Sequence, residues 1–245
     1  MEKTRKSTKL FAAVLSLVMI LGTVCVFGTL NAGAATERVS LYSSDITFSK
    51  YGITTSEIFV QTKDNASDQQ VFIHYNYLNG SEWMDAKADY VTTLSDGGKI
   101  WRAVINSFNT EYAIKYVADG EEIWDNNNGN NYTTDDILGV APVTAQSLGY
   151  QYSSYYTVNA VVQNYAYDKD VTVRYTTDGW NSFKDEKLSY SKTNANGTET
   201  WTADIDAHFL NRDNFEYAIC YKVNGKEFWA NNFGANYDIN FCIHK

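Results

Sequence analysis

Apolar and polar residues alternate along this chain in short runs. Val71, Ile73 and Tyr75 share one side of such a run, and Val171, Val173 and Tyr175 repeat it. Tyr112, Ile114 and Tyr116 form a second run, repeated by Tyr217, Ile219 and Tyr221. A two-residue period puts alternate side chains on opposite faces, so these runs predict half-buried antiparallel strands, with Tyr75, Tyr116, Tyr175 and Tyr221, in phase with Val and Ile, in the core. Clusters of Asn, Asp, Gly and Ser separate the runs, and no segment carries a sustained helical stripe. Strands recurring this way over roughly 100 residues have the size and pattern of a β-sandwich.

The pattern occurs twice. Val71, Tyr90 and Trp101 return as Val171, Tyr190 and Trp201, 100 positions on. Glu111 to Tyr116 returns as Glu216 to Tyr221, and the cluster Trp124 to Tyr132 as Trp229 to Tyr237, both shifted by 105. The five extra residues fall at Phe209–Asp213, a polar loop of the kind that absorbs insertions. A repeat this long is a whole domain copied. The expected organisation is therefore all-β, two tandem immunoglobulin-like β-sandwich modules at 37–138 and 139–245, joined by a short linker near Thr133–Pro142 that holds the single proline.

Ahead of the modules, Lys3, Arg5, Lys6 and Lys9 precede an apolar run from Leu10 to Leu30 and then Ala32-Gly33-Ala34. That is the order of a secretory signal peptide, expected to occupy 1–34. The alternative is an uncleaved N-terminal membrane anchor, since the run is just long enough to span; the basic flank places the remainder outside in either case. Four positive charges and one negative leave with the leader, which takes the net charge from −9 to −12. So acidic a surface repels phosphate backbones and anionic headgroups, which argues against nucleic acid and direct membrane contact but not against a neutral polysaccharide. Of three cysteines, Cys25 leaves with the leader. Cys220 and Cys242 remain in an oxidising compartment. A disulfide between them is left open; Lys115 stands where the second copy has Cys220, so such a bond would be an accessory of one module rather than part of the fold.

The six tryptophans divide by context. Trp101 and Trp201 begin strand-like runs and read as buried anchors. Trp83 and Trp180 sit in polar turns, and Trp124 and Trp229 border the Asn-rich loops. An indole at the surface forfeits burial unless a ligand covers it. The apolar face of a sugar ring is such a cover, and neighbouring amides both donate and accept, as sugar hydroxyls do. Trp83, Trp124, Asn126, Asn128 and Asn131 in the first copy, with Trp180, Trp229, Asn231 and Asn236 in the second, are therefore the candidate carbohydrate-binding residues. The competing reading is that the Asn runs are turns held by side-chain-to-backbone hydrogen bonds.

At these residues the chain resembles carbohydrate-binding module family 21, the starch- and glycogen-binding modules attached to amylolytic enzymes and to glycogen-targeting subunits of a protein phosphatase. The resemblance runs over Val162 to Trp180, Phe215 to Val223 and Trp229 to Tyr237, and in the first copy over Trp83, Tyr112 to Tyr116 and Trp124 to Tyr132. It implies an eight-stranded immunoglobulin-like sandwich and non-catalytic binding of α-glucans: starch, glycogen and malto-oligosaccharides. One family site maps onto Trp83 with Trp124, and onto Trp180 with Trp229. The third aromatic of that site falls on Ala113 and Ala218, a departure in both copies. A second site maps onto Asn164, Tyr167, Lys169 and Tyr190. The first copy keeps Tyr90, but Asp64–Asp68 has no aromatic, so this second site is expected to be absent there.

Other chemistries fit less well. A glycosidase needs paired carboxylates held across a cleft. Asp125, Asp135 and Asp136 do not recur in the other copy at a site-like position, and Asp178 lies in a turn. Asp125 to Asn131 hints at a calcium loop, but its glycine falls one position early. The second copy also has Ala230 in place of the aspartate. His74, His208 and His244 lack metal-ligand spacing. No catalysis, no metal and no cofactor are expected. The expected function is a secreted, non-catalytic α-glucan-binding protein, with an extracellular amylase as a candidate partner. The rival is an adhesion module whose tryptophan faces grip a protein, and recruitment of an intracellular phosphatase conflicts with the leader.

Overall fold

The computed structural model describes residues 38–48, 54–76, 80, 82–106, 110–146, 155–206 and 214–238. The leader with Cys25, the inserted loop 209–213, His208, Cys242 and His244 lie outside the described residues.

The first half contains β1 (Val39–Phe48), β2 (Thr54–Thr62), β3 (Gln69–Asn76), β4 (Trp83–Lys87), β5 (Asp89–Thr93), β6 (Lys99–Asn106), β7 (Glu111–Ala118), β8 (Glu121–Asp125) and β9 (Tyr132–Thr133). The second contains β10 (Val143–Gln146), β11 (Tyr155–Val162), β12 (Lys169–Thr176), β13 (Lys184–Lys187), β14 (Ser189–Thr193), β15 (Glu199–Asp206), β16 (Glu216–Val223), β17 (Lys226–Ala230) and β18 (Tyr237–Asp238). Sheet order is the same in both: β1-β2-β6-β5 faces β4-β3-β7-β8, and β10-β11-β15-β14 faces β13-β12-β16-β17. The chain is therefore all-β, in two sandwich halves with equivalent strands. Among the described residues each half has one strand more than the expected eight, because β9 and β18, two residues each, pair back onto β7 and β16.

The alternation read from the sequence is what builds the cores. Val71, Ile73, Tyr112, Ile114 and Tyr116 fill the first core together with Ile58 and Val60; Val171, Val173, Tyr217, Ile219 and Tyr221 fill the second with Val158 and Val162. Tyr75 is buried, while Tyr175 is only half-buried at the edge of its core. Two hairpins set the edge strands that carry Trp124 and Trp229. Asp119-Gly120 and Asn224-Gly225 each place two consecutive residues in the left-handed region. That is the requirement of a two-residue turn that matches strand twist.

The linker is stitched to the first sandwich and is no free tether. Ser44 N donates to Ile137 O at 2.8 Å, Val140 N to Leu41 O at 2.8 Å, and Gly139 N to Tyr42 O at 3.1 Å. From the second half, Gln163 Nε2 donates to Gly139 O at 2.6 Å. Leu138, Ala141 and Val161 form a small buried cluster with Tyr42 and Ile137 against it, which joins the halves by apolar packing. Gly139 permits this approach, since a Cβ there would collide with Leu41 O.

Candidate functional site

The four surface indoles are not packed inside the sandwiches. Trp83 is 37% and Trp229 40% exposed, and Trp124 and Trp180 are half-buried. Three of the four lie on strands, contrary to the expectation of a turn for Trp83, which opens β4; only Trp180 occupies a turn, at φ 67°.

In the first half the outer face of β4-β3-β7-β8 carries a continuous aromatic patch. His74, on β3, stacks on Trp83 at 5.0 Å and meets Trp124 edge-on at 5.3 Å, so it fills the space between the two indoles. Its Nδ1 lies 2.6 Å from Asp85 Oδ1, and Lys115 pairs with the same carboxylate. Burial alone would raise the Asp85 carboxyl, but Lys115 and His74 hold it below the usual value. Directly across from His74 in the ladder is Ala113, only 4% exposed although it points outward. The small Ala113 thus stands beside the His74 ring on this face.

In the second half the counterpart of Trp83 is Phe183 and not Trp180. Phe183 lies 100 positions beyond Trp83, and Asp185 pairs with Arg174 in register as Asp85 does with His74. Arg174 replaces His74: its guanidinium lies 4.1 Å over Phe183 and 5.3 Å over Trp229, and makes two 2.7 Å hydrogen bonds to Asp185. The pairing of Trp180 with Trp83 is therefore corrected. Trp180 adds a further ring at the end of the same face. Its Nε1 donates to Glu216 Oε2 at 2.6 Å, and Asn236 Nδ2 donates to that oxygen at 3.0 Å. Glu216, Ala218 and Cys220 occupy alternate positions of β16, and Cys220 is the register partner of Trp229. At about 3.3 Å per residue, roughly 13 Å separates the strand position that anchors Trp180 from the one beside Trp229. Tryptophan alone does not mark this face: Phe183, His74 and Arg174 complete it, and the 100-residue offset that aligns Phe183 with Trp83 is the signal for it in the sequence.

The Asn-rich loops serve themselves first. Asn126 Oδ1 accepts from Gly129 N at 3.0 Å and Asn231 Oδ1 from Gly234 N at 3.1 Å, capping the 3-10 turns Asn127–Gly129 and Asn232–Gly234. Asn131 and Asn236 sit at φ 57° and 58°, and their amides reach Glu111 and Glu216. Asn is tolerated in that conformation better than most residues. The turn reading thus accounts for Asn126, Asn131, Asn231 and Asn236, which shape the platform edge. Asn128 is exposed at φ 57°. Its counterpart Phe233 keeps that conformation (φ 54°) and packs on Tyr42 at 5.7 Å and Phe59 at 5.0 Å, across the boundary between the halves. Asp125 is 2% exposed and accepts from Tyr132 OH at 2.7 Å, Asn127 N at 3.2 Å and Leu41 N at 3.3 Å; its burial raises the carboxyl pKa. Those bonds give it a structural task in place of calcium ligation, and no cluster of His, Cys, Asp or Glu fit for a metal occurs among the described residues.

The second candidate site is assembled in the second half around a residue expected to be buried. Trp201 is half-buried, and its Nε1 donates to Glu199 Oε2 at 3.0 Å. The same carboxylate takes Lys169 Nζ at 2.8 Å, and Lys169 also reaches Asn164 Oδ1 at 2.5 Å. With only 2% of its side chain exposed, Lys169 organises Asn164 and Glu199 from beneath. Tyr190, 52% exposed, meets Trp201 edge-on at 6.0 Å, and Tyr167 stands 97% exposed on the adjoining loop. A bulge after Tyr190, matched after Tyr90, interrupts the ladder. Such a bulge re-aims the tyrosine at the sheet edge. In the first half, Trp101 and Tyr90 keep the same edge-on contact at 5.7 Å, but Gln69 replaces Lys169 and Ser67 replaces Tyr167. Ser67 is held down by Asp119 through its N–H at 3.0 Å and hydroxyl at 2.9 Å. Beneath Trp229, Cys220 is buried with a free thiol whose pKa burial pushes up to about 11.

The family model described as carbohydrate/starch-binding module (family 21) matches residues 147–240, the half that carries both aromatic sites. Rat protein phosphatase 1 regulatory subunit 3B is 37% identical over 82 residues, 32% of this chain and 29% of that protein. Glycogen-binding subunit 76A of Drosophila melanogaster is 33% identical over 78 residues, 31% of this chain and 12% of that one. The chain thus spans less than a third of the length of these curated relatives. Among solved structures, the carbohydrate-binding module of the muscle glycogen-targeting subunit of protein phosphatase-1 is 25% identical, with 39% of this chain and 73% of that one covered and a TM-score of 0.33.

Proposed function

We propose that this chain is a secreted, non-catalytic α-glucan-binding protein, with a signal peptide at 1–34 and modules at 37–138 and 139–245, which holds starch or glycogen for an amylolytic partner outside the cell. The observation that carries the reading is the outer aromatic face of the second half. Trp229 and Phe183 are 40% and 53% exposed there, on either side of Arg174, inside the segment that matches the family model. The rings are held by fixed hydrogen bonds (Trp229 Nε1 to Glu227 at 2.6 Å, Trp180 Nε1 to Glu216 at 2.6 Å). Sugar stacking therefore needs little side-chain ordering. The first half repeats the platform with Trp83, His74 and Trp124. Phosphatase recruitment stays with the relatives, since a chain exported behind a leader would not meet an intracellular phosphatase.

Each platform is expected to bind malto-oligosaccharide with a dissociation constant of roughly 0.1–1 mM. Affinity electrophoresis in amylopectin gels provides the test. The full chain should be retarded, and Trp229→Ala should weaken retardation about tenfold, equivalent to ~1.4 kcal/mol. Migration unaffected by amylopectin at any concentration would overturn the reading.

A further inference from the structure

Resting on that glucan-binding reading, we infer that the cleft between the two sandwiches is a third α-glucan subsite, continuous with the Trp229 face and built jointly by both halves. The cleft encloses about 390 Å³. Small-molecule sites typically span roughly 300–1,000 Å³. Trp229 and Asn231 line it from the second half. From the first half come Glu57 on β2 and Thr92 to Ser95 at the end of β5. Phe233 closes it by wedging between Tyr42 and Phe59. Trp229 therefore belongs to two surfaces at once: the outer platform with Arg174, and one wall of the cleft. A glucan chain that stacks on this indole is led from one into the other.

The lining chemistry selects the ligand class. Among the described residues no Lys, Arg or His lines the cleft, whereas Asp45 and Glu57 do. An anionic ligand thus meets repulsion without a countercharge. Glu57 is already paired with Arg102 and Asp45 is 5% exposed, which leaves little free negative charge for a cation. What remains are hydroxyls and amides beside aromatic rings, a set that suits a neutral polyol. The walls are held at a fixed separation by the linker hydrogen bonds to β1 and by the buried Leu138, Ala141 and Val161 cluster.

The test is calorimetric titration of the full chain with maltotriose and maltoheptaose, in a Trp83→Ala background that silences the first platform. Thr92→Arg fills the cleft from the first half, far from the Trp229 face in sequence. It should weaken maltoheptaose binding about fivefold and leave maltotriose unchanged. Ser95→Tyr, at an exposed turn position, should do the same and serves if Thr92→Arg disturbs β5. Maltoheptaose affinity at the unsubstituted level in both variants overturns the cleft subsite alone. If the unsubstituted chain binds neither sugar, the glucan-binding reading itself falls and the cleft subsite with it.

Discussion

The two halves share sheet order, hairpin turns and core, yet differ wherever a side chain leaves the scaffold. His74 between two indoles becomes Arg174 between Phe183 and Trp229; Gln69 and Ser67 become Lys169 and Tyr167; Asn128 becomes Phe233. Strand pairing is conserved because one slipped residue would turn a whole core face outward. The outer faces carry no such constraint. The second half has gained an ion-paired site and a ring that reaches its neighbour, whereas the first spends the equivalent loop on Arg38–Asp64 and Ser67–Asp119 contacts. Duplication here has left one copy with two aromatic sites and the other with one.

The sharpest way to break this comparison is Lys169→Ala. It strands Glu199 without its cation in a site where the lysine side chain is almost wholly buried. The chain's coupled unfolding transition should therefore lose about 3–5 kcal/mol in denaturant titration. Gly139→Ala comes next. The added methyl meets Leu41 O. Overpacking of this kind costs ~1–3 kcal/mol, and calorimetric melting should split into two transitions as the halves uncouple. Phe233→Asn installs the first half's residue at the same left-handed position. Relief of backbone strain offsets lost ring packing, so stability should shift by no more than about 1 kcal/mol, while small-angle scattering should register looser halves. Smallest is the effect of acid. Asp85 and Asp185 both titrate below the usual carboxylate value. Their contribution is complete above the unfolded carboxylate pKa and disappears as pH falls through the lowered folded value. Stability should therefore be flat from neutral to about pH 4 with respect to these pairs, and decline below it. A decline beginning near pH 6 would contradict the pairing of Asp85 with Lys115.

The fold was legible because period-two alternation is a property of neighbours in sequence. Val71-Ile73-Tyr75 and Tyr112-Ile114-Tyr116 read directly as core, and they are. The halves were legible because the offsets were. The sites were legible only in part. Trp229 could be recognised as a surface ring, but the lateral partners that make it a platform, Arg174 and Phe183, come from other strands, and register across a sheet is not written in either strand alone. Trp201 looked like a core residue because it begins an alternating run; it does pack against the core, but only half-buried, with Tyr190 edge-on to its ring. Asn126 and Asn231 looked like ligand amides because the same side chain caps a 3-10 turn or grips a hydroxyl equally well.

The stitched linker has a consequence for how the protein would meet a polymer. Two binding surfaces on a slack tether sample many separations, and their joint affinity depends weakly on the target's geometry. Under the proposed glucan-binding function, surfaces clamped at Gly139 would behave as a ruler with one marking. A target whose chains match that spacing engages both ends at once, and one that does not engages a single end, so selectivity among branched or crystalline glucans would reside in the spacing between contacts more than in any one contact.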